Sequence, residues 1–286
     1  MNSKIIYDRL YIDFQLDSMK DDWSFMNFES NMIHHEFRTS YMGRVLDNTE
    51  EIKKVYTMTF PDQELIHQVF EKNESNILLF SHHAMGYHPL KNGFPFYDIA
   101  TNDMIEMKKR NISLYVLHTP LDHYGQYSTS VSLSKALNME IIEPFCQCDA
   151  IIQAGVIGKT LIKNIEEIQE LLSKVVGHET KAYWYGDKVL KGEKVAIAAG
   201  GGTYPFVASE IADLGINCYI TGFTKPLLYV QPTLDFHRIA KENGINVIGA
   251  THYSTEKFAC MAMVKYFEKL GVKAEFMEGR YYLEDL

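Results

Sequence analysis

Two apolar stretches of the sequence end in the same pattern, a histidine followed four positions later by a carboxylate. The first stretch leads into His118 and Asp122, and the second leads into His252 and Glu256. Neutral imidazole and carboxylate are the ligands that zinc, iron(II), manganese and nickel accept most readily. The pattern therefore predicts a metal-binding site built at the ends of strands.

A third apolar stretch, residues 76–81, ends in the adjacent pair His82 and His83. Side chains alternate along a strand, so both imidazoles can face one site only where the strand ends, unless they bind different metals. Gly86 and Pro89 follow closely, which favours an ending. We interpret both histidines as metal ligands.

The elements that would carry these residues occur twice. Residues 53–83 follow the order strand, helix, strand, and residues 193–223 follow the same order. One offset of 140 residues separates Lys53 from Glu193 and Asn76 from Ile216. We predict an α/β fold with two lobes built from a duplicated βαβαβ unit. The sheets would pack so that the carboxyl ends of their strands face a shared metal cleft.

These elements divide the chain into three predicted parts. Residues 1–129 form a first α/β lobe, in which the first 50 residues carry no clear chemical motif. Residues 130–192 form a connecting segment with an amphipathic helix from about Ile162 to Val176. Residues 193–286 form a second α/β lobe that carries the C-terminal metal motif.

Composition and charge exclude several partners. The net charge of −9 argues against a nucleic-acid backbone, because that binding depends on clustered Lys and Arg. No apolar run approaches the roughly 18 residues of a membrane span, and residues 1–9 lack the apolar core of a signal peptide. We expect a cytoplasmic protein with a small-molecule substrate or ligand. Its four cysteines are interpreted as reduced thiols.

Some residues could have either a structural or a functional role. A helix predicted from Lys257 to Leu270, with Ser254 or Thr255 as its N-cap, puts Glu256 in the first helical turn, where it could serve the helix start or a metal. Gly200–Gly202 suits a tight strand-to-helix turn better than a phosphate-binding loop. The pair His34–His35 lies outside the repeat and is interpreted as surface or core.

The motifs together resemble the NGG-interacting-factor-three-like proteins, also called GTP cyclohydrolase 1 type 2 homologues. The resemblance extends from about Tyr41 to the C-terminus. It rests on five segments: Ser81–His83, His118–Asp122, Gly155–Gly158, Val195–Gly202 and His252–Glu256. Among the departures from the family pattern, Ala84 replaces a proline and Phe223 replaces an acid.

The resemblance implies a two-lobed subunit with a dinuclear metal centre, commonly assembled into toroidal hexamers. Carried over motif by motif, the implied metal ligands are His82, His83, Asp122, His252 and Glu256. His118 is not among them, although the repeat places it at the position of His252. We assign His118 to proton transfer or to support of the ligands.

The sequence is compatible with two functions. The first is a metal-dependent hydrolase with two divalent ions per chain, acting on a nucleotide-like or phosphorylated small molecule. The second is a non-catalytic protein that binds a metal or a metallated ligand for delivery or regulation. Family members are described as metal-dependent hydrolases or cyclohydrolase homologues, so the resemblance favours the first and implies a homo-oligomer.

Overall fold

Two units make up the chain in this computed structural model, which describes residues 1–24, 31–89, 94–228 and 230–286. The first unit comprises residues 1–121 and 260–280, and the second comprises residues 122–259 and 281–286. Two helices run across these boundaries: α5 (Thr119–Asp122) and α10 (His252–Lys269).

The first unit is a five-stranded sheet with helices. Its strands are β1 (Gly43–Leu46), β2 (Lys54–Met58), β3 (Ile77–Ser81), β6 (Ile112–Val116) and β13 (Lys273–Phe276), in the spatial order β1-β6-β3-β2-β13. A small two-stranded antiparallel sheet pairs β4 (Gly86–Tyr87) with β5 (Phe96–Tyr97). The helices are α1 (Ser3–Asp13), α2 (Phe37–Ser40), α3 (Gln63–Glu71) and α4 (Thr101–Lys109).

The sheet of the first unit brings three strand ends to one edge. Strands β2, β3 and β6 run parallel, with Ser81 opposite Val116 at the carboxyl ends. All of β3 and β6 is buried, as expected for parallel strands covered on both faces. Helix α3 covers the sheet with a stripe of buried residues at helical spacing: Leu65, Ile66 and Val69.

The second unit is a six-stranded sheet with helices. Its strands are β7 (Glu140–Gln147), β8 (Gln153–Lys159), β9 (Lys181–Tyr183), β10 (Lys194–Ala198), β11 (Cys218–Thr221) and β12 (Asn246–Gly249), in the spatial order β7-β8-β10-β11-β12-β9. The helices are α6 (Thr129–Ala136), α7 (Ile165–Val176), α8 (Pro205–Asp213) and α9 (Gln231–Glu242).

The amphipathic helix predicted in the middle of the chain is confirmed as α7. Asn164 caps its first turn through a hydrogen bond to the backbone N–H of Glu166, at 2.9 Å. Gly177 ends it with φ of 87°, a left-handed conformation that glycine adopts at low cost. Its buried stripe is Ile165, Ile168, Leu172 and Val176.

The predicted domain boundaries differ from those of the structure. Residues 130–192 do not connect two lobes, because β7, β8 and β9 are hydrogen-bonded into the sheet of the second unit. Residues 260–280 belong to the first unit, because β13 pairs with β2. Antiparallel and long-range pairings of this kind leave no local signal in the sequence, which explains the difference.

Each unit contains three adjacent parallel strands with helices between them, the βαβαβ order predicted from the repeat. The offset of 140 holds at the strand ends, since Met58 pairs with Ser81 and Ala198 pairs with Thr221. In the third strand, Val116 corresponds to Gly249. His118 therefore corresponds to Thr251, and the predicted correspondence between His118 and His252 is shifted by one residue.

No helix among the described residues is long and apolar enough to cross a membrane. All four cysteines are free thiols; Cys146, Cys218 and Cys260 are buried, whereas Cys148 is exposed.

Candidate metal centre

The first unit gathers three histidines at the carboxyl ends of β3 and β6. Strand β3 ends at Ser81, so His82 and His83 lie just beyond it, and His118 lies just beyond β6. The metal-ligating atoms of these three imidazoles all lie within 4.8 Å of one another. His82 and His83 are 0% and 1% exposed, so few water molecules compete for them. The cluster can hold a metal ion.

The imidazole of His82 is oriented by the backbone. Its Nδ1 lies 2.9 Å from the carbonyl oxygen of Leu117, which can only accept, so Nδ1 donates. Nε2 then carries the lone pair. Histidines that bind metals usually donate their other ring N–H in this way, which fixes the tautomer. The side chain of His82 thus fits a metal ligand.

Aromatic rings surround the histidine cluster. Phe60 stacks on His83 with ring centroids 4.3 Å apart. Trp23 meets His118 edge-on at 5.1 Å and His83 at 6.3 Å. These rings limit the conformations that the imidazoles can adopt, and the burial of His82 and His83 strengthens electrostatic interactions around them.

Asp21 is a residue of this cluster that the sequence did not reveal. Its Oδ1 lies 3.0 Å from Nδ1 of His118. Burial favours the neutral acid, but the imidazole of His118 and hydrogen bonds from Thr119 outweigh burial and lower the pKa of the Asp21 carboxyl. Asp21 is therefore a carboxylate that accepts a hydrogen bond from Nδ1–H of His118. It lies in the first 50 residues, to which we assigned no motif.

In the second unit, His252 and Glu256 lie on one helix, contrary to the predicted start near Lys257. Helix α10 begins at His252, so the two residues are separated by one helical turn. Nε2 of His252 lies 3.1 Å from Oε1 of Glu256. Both side chains are buried, at 9% and 2% exposure of the residues. A buried imidazole and carboxylate at this distance are a suitable ligand pair for a divalent metal.

The early start of α10 has a tertiary cause. Oδ2 of Asp285, near the C-terminus, accepts a hydrogen bond from the backbone N–H of His252 at 2.9 Å. Oγ1 of Thr251 accepts one from the backbone N–H of Ser254 at 3.3 Å. Both satisfy N–H groups that a helix start leaves unpaired. Because Asp285 is distant in sequence, local N-cap patterns could not identify this start.

Gly200 packs against the His252–Glu256 pair. Its φ is +74°, and a Cβ built on it would collide with Oε1 of Glu256 and approach Nε2 of His252 to 3.3 Å. The backbone N–H of Gly200 donates to Oγ1 of Thr255 at 2.9 Å. The predicted tight turn at Gly200–Gly202 therefore does more than connect elements, because it leaves room for the two candidate ligands.

Asp122 is the last residue of α5 and is half-buried. Its Oδ1 accepts a hydrogen bond from Oγ1 of Thr129 at 2.8 Å. Hydrogen-bonded carboxylates of this kind are typical of metal sites, since the bond orients the ligand. Asp122 belongs to the second unit, whereas His118, four residues earlier, belongs to the first.

The predicted site residues thus fall into two groups. His82, His83 and His118 cluster in the first unit, and His252 and Glu256 pair in the second, where Asp122 also lies. The pair His34–His35, whose rings are 4.5 Å apart, is half-buried to exposed, as expected for histidines outside the site.

Comparison with known proteins identifies the family. The "GTP cyclohydrolase 1 type 2 homolog" of Pyrococcus horikoshii is 32% identical over 177 residues, covering 61% of this chain and 65% of its own length, just under two thirds. The protein of the same description from Archaeoglobus fulgidus is 26% identical over 238 residues, which cover 82% of this chain and 88% of its own length.

A solved structure shares the fold over the whole chain. Protein ybgI superposes with a TM-score of 0.73 at 17% sequence identity and covers 98% of this chain and 99% of its own. Residues 38–280 match the profile of one family. The resemblance noted from the sequence motifs is confirmed: the chain belongs to the Duf34/NIF3 (NGG1p interacting factor 3) family.

Proposed function

We propose that this protein is a dinuclear metal-dependent hydrolase that acts on a nucleotide-like or phosphorylated small molecule. In this proposal His82, His83, Asp122, His252 and Glu256 together hold two divalent ions. The observation that carries the proposal is the cluster of imidazoles in the first unit, whose ligand atoms lie within 4.8 Å of one another. The names of the curated relatives, homologues of a GTP cyclohydrolase, support the substrate class.

The donor set suits this chemistry. Nitrogen and carboxylate ligands bind zinc, iron(II), manganese and nickel. Five such side chains exceed the three protein ligands usual at one catalytic ion, so they suit two ions that keep open positions. Two such ions would lower the pKa of a bound water and neutralise charge on the attacking and leaving oxygens.

The chain's own residues would handle the proton. His118 donates from Nδ1 to Asp21, so Nε2 is the nitrogen that can accept a proton and return it. The side chain of His118 is 23% exposed, whereas those of His82 and His83 are buried. His118 can therefore exchange protons with water and substrate, which suits a general acid and base.

A substrate screen tests the proposal. Protein reconstituted with zinc, iron(II), manganese or nickel would be incubated with nucleotides and phosphoesters, and product formation would be measured. We expect turnover that His252→Ala abolishes. Tight retention of a ligand without any product would instead support the alternative, a binding or delivery protein.

The role of His118 is tested separately. His118→Ala should leave the metal content nearly intact and lower turnover by roughly 10²- to 10⁴-fold, the usual loss for a general acid or base. His67→Ala is the matched control, because His67 is a half-exposed histidine of the same unit that pairs with Asp103 at 2.9 Å. Loss of a metal from His118→Ala would make His118 a ligand and contradict the proton-transfer role.

We also propose that the chain forms a homohexamer, on the basis of its family. Light scattering at micromolar concentration should give about six times the chain mass of 32.9 kDa. A monomeric mass would contradict this assembly.

A further inference from the structure

Two residues that contact the histidine cluster, Asp21 and Trp23, precede the family match, which begins at residue 38. The Asp21 carboxylate and the Trp23 indole both contact His118, at 3.0 Å and with ring centroids 5.1 Å apart. The candidate site of this chain therefore includes side chains that precede the residues of the family match.

The carboxylate of Asp21 is held in a defined position. The backbone N–H of Thr119 donates to its Oδ2 at 3.3 Å, and the hydroxyl of Thr119 donates to its Oδ1. The backbone N–H of Asp21 donates to the carbonyl of Ser40 at 3.2 Å. Its side chain is only 5% exposed. A carboxylate with this many fixed partners can orient a neighbouring ring.

The geometry determines which nitrogen of His118 carries the proton. A carboxylate accepts hydrogen bonds, so Nδ1 of His118 is protonated and its lone pair is on Nε2. The edge of Trp23 restricts rotation of the ring. Loss of the carboxylate would allow the other tautomer, with the proton on Nε2, in which that nitrogen can no longer accept a proton.

We propose that Asp21 is a positioning residue that fixes the tautomer and orientation of His118, so that Nε2 is available for proton transfer. This inference rests on the proposed role of His118 in the hydrolase. It makes Asp21 a functional residue of this chain, although it precedes residue 38, where the family match begins.

The test uses zinc-reconstituted protein labelled with ¹⁵N-histidine, because zinc is diamagnetic. The chain has 11 histidines, and a His118→Gln spectrum assigns the His118 signals by their loss. We expect the Nδ1-protonated tautomer in the wild type and a shift toward the Nε2-protonated tautomer in Asp21→Asn. If wild-type His118 is already protonated on Nε2, the inference is overturned without any variant.

Asp22→Asn is the matched control. It removes the same charge one residue away, from an exposed carboxylate that accepts a hydrogen bond from the backbone N–H of Ser24 at 3.0 Å. Asp22→Asn should leave the His118 tautomer and turnover unchanged. Asp21→Asn should lower turnover by about 10- to 100-fold, the usual loss for a residue that orients a ligand or catalytic histidine.

The outcomes separate this inference from the proposed function. An unchanged tautomer and unchanged turnover in Asp21→Asn, with thermal unfolding equal to that of Asp22→Asn, would overturn the inference and leave the hydrolase intact. Absence of turnover in every metal-loaded preparation would contradict the hydrolase, while the tautomer shift would still report the action of Asp21 on His118.

Discussion

Nε2 of His252 and Oε1 of Glu256 lie 3.1 Å apart across the first turn of helix α10. Both side chains are buried. The helix that carries them begins at His252, whose backbone N–H donates to the carboxylate of Asp285, 33 residues later in the chain. The carboxylate of Asp285 thus stabilises the helix start that brings His252 and Glu256 together as a candidate ligand pair.

Glu256→Gln should reduce metal content, because glutamine keeps the size of the side chain but removes the charge that attracts a divalent ion. If the carboxylate bridges two ions, occupancy of both falls, to well below about one ion per chain. Elemental analysis measures this. Glu268→Gln, at an exposed position later on the same helix, is the control. Loss of one ion alone would mean that Glu256 does not bridge.

Gly200→Ala should also lower metal content, because the added Cβ would collide with Oε1 of Glu256. Part of its effect is a backbone cost of about 1–2 kcal/mol for a left-handed alanine. Gly192→Ala controls for that cost, since Gly192 has φ of +62° and open space around it. Equal metal content in the two variants would show that the close approach of Gly200 is not needed for metal binding.

Trp23 should report metal binding to the histidine cluster. In Trp184→Phe it is the remaining tryptophan, and its ring centroid lies 5.1 Å from that of His118 and 6.3 Å from that of His83. Cobalt(II) bound by His82 and His83 should quench its fluorescence in a saturable titration. A titration of Trp184→Phe that leaves the emission unchanged while elemental analysis finds bound cobalt would place the ion elsewhere.

Asp62 should make stability depend on pH. Burial raises the pKa of its carboxyl from 3.8 to about 6, although hydrogen bonds from Tyr87 and Tyr97 oppose this shift. The folded state therefore binds the proton more tightly, and this contribution to stability is lost as pH rises from about 4 to about 6. Asp62→Asn should remove the dependence and raise the free energy of unfolding at pH 7 by at most about 3 kcal/mol.

Chemical denaturation of both proteins between pH 4 and pH 8 checks this prediction. The difference between variant and wild type should be small at pH 4 and grow to a plateau above pH 6. A difference that does not change with pH would contradict the proposed titration of Asp62.

The sequence predicted those parts of the molecule that depend on local pattern. Apolar strands and helical stripes such as that of α7 were identified, and so was the ending of β3 that allows His82 and His83 to lie near each other. The parallel order of β2, β3 and β6 followed from the repeat. The strands, the helical stripes and the ending of β3 are determined by neighbouring residues, so one sequence suffices to predict them.

The parts that were missed depend on contacts between distant residues. Asp21 reaches His118 across 97 positions, and Asp285 reaches His252 across 33. Strand β13 joins the first unit by pairing with β2, which no local pattern indicates. The start of α10 and the extent of both units could therefore be found only from the folded structure.

The number of bound ions tests the central claim most directly. Protein purified without chelator and then reconstituted with one divalent metal should contain about two ions per chain by elemental analysis, because five side-chain ligands suit two ions with open positions. His252→Ala should fall clearly below this value. A reconstituted wild type that contains no metal, or only one ion, would contradict the dinuclear centre.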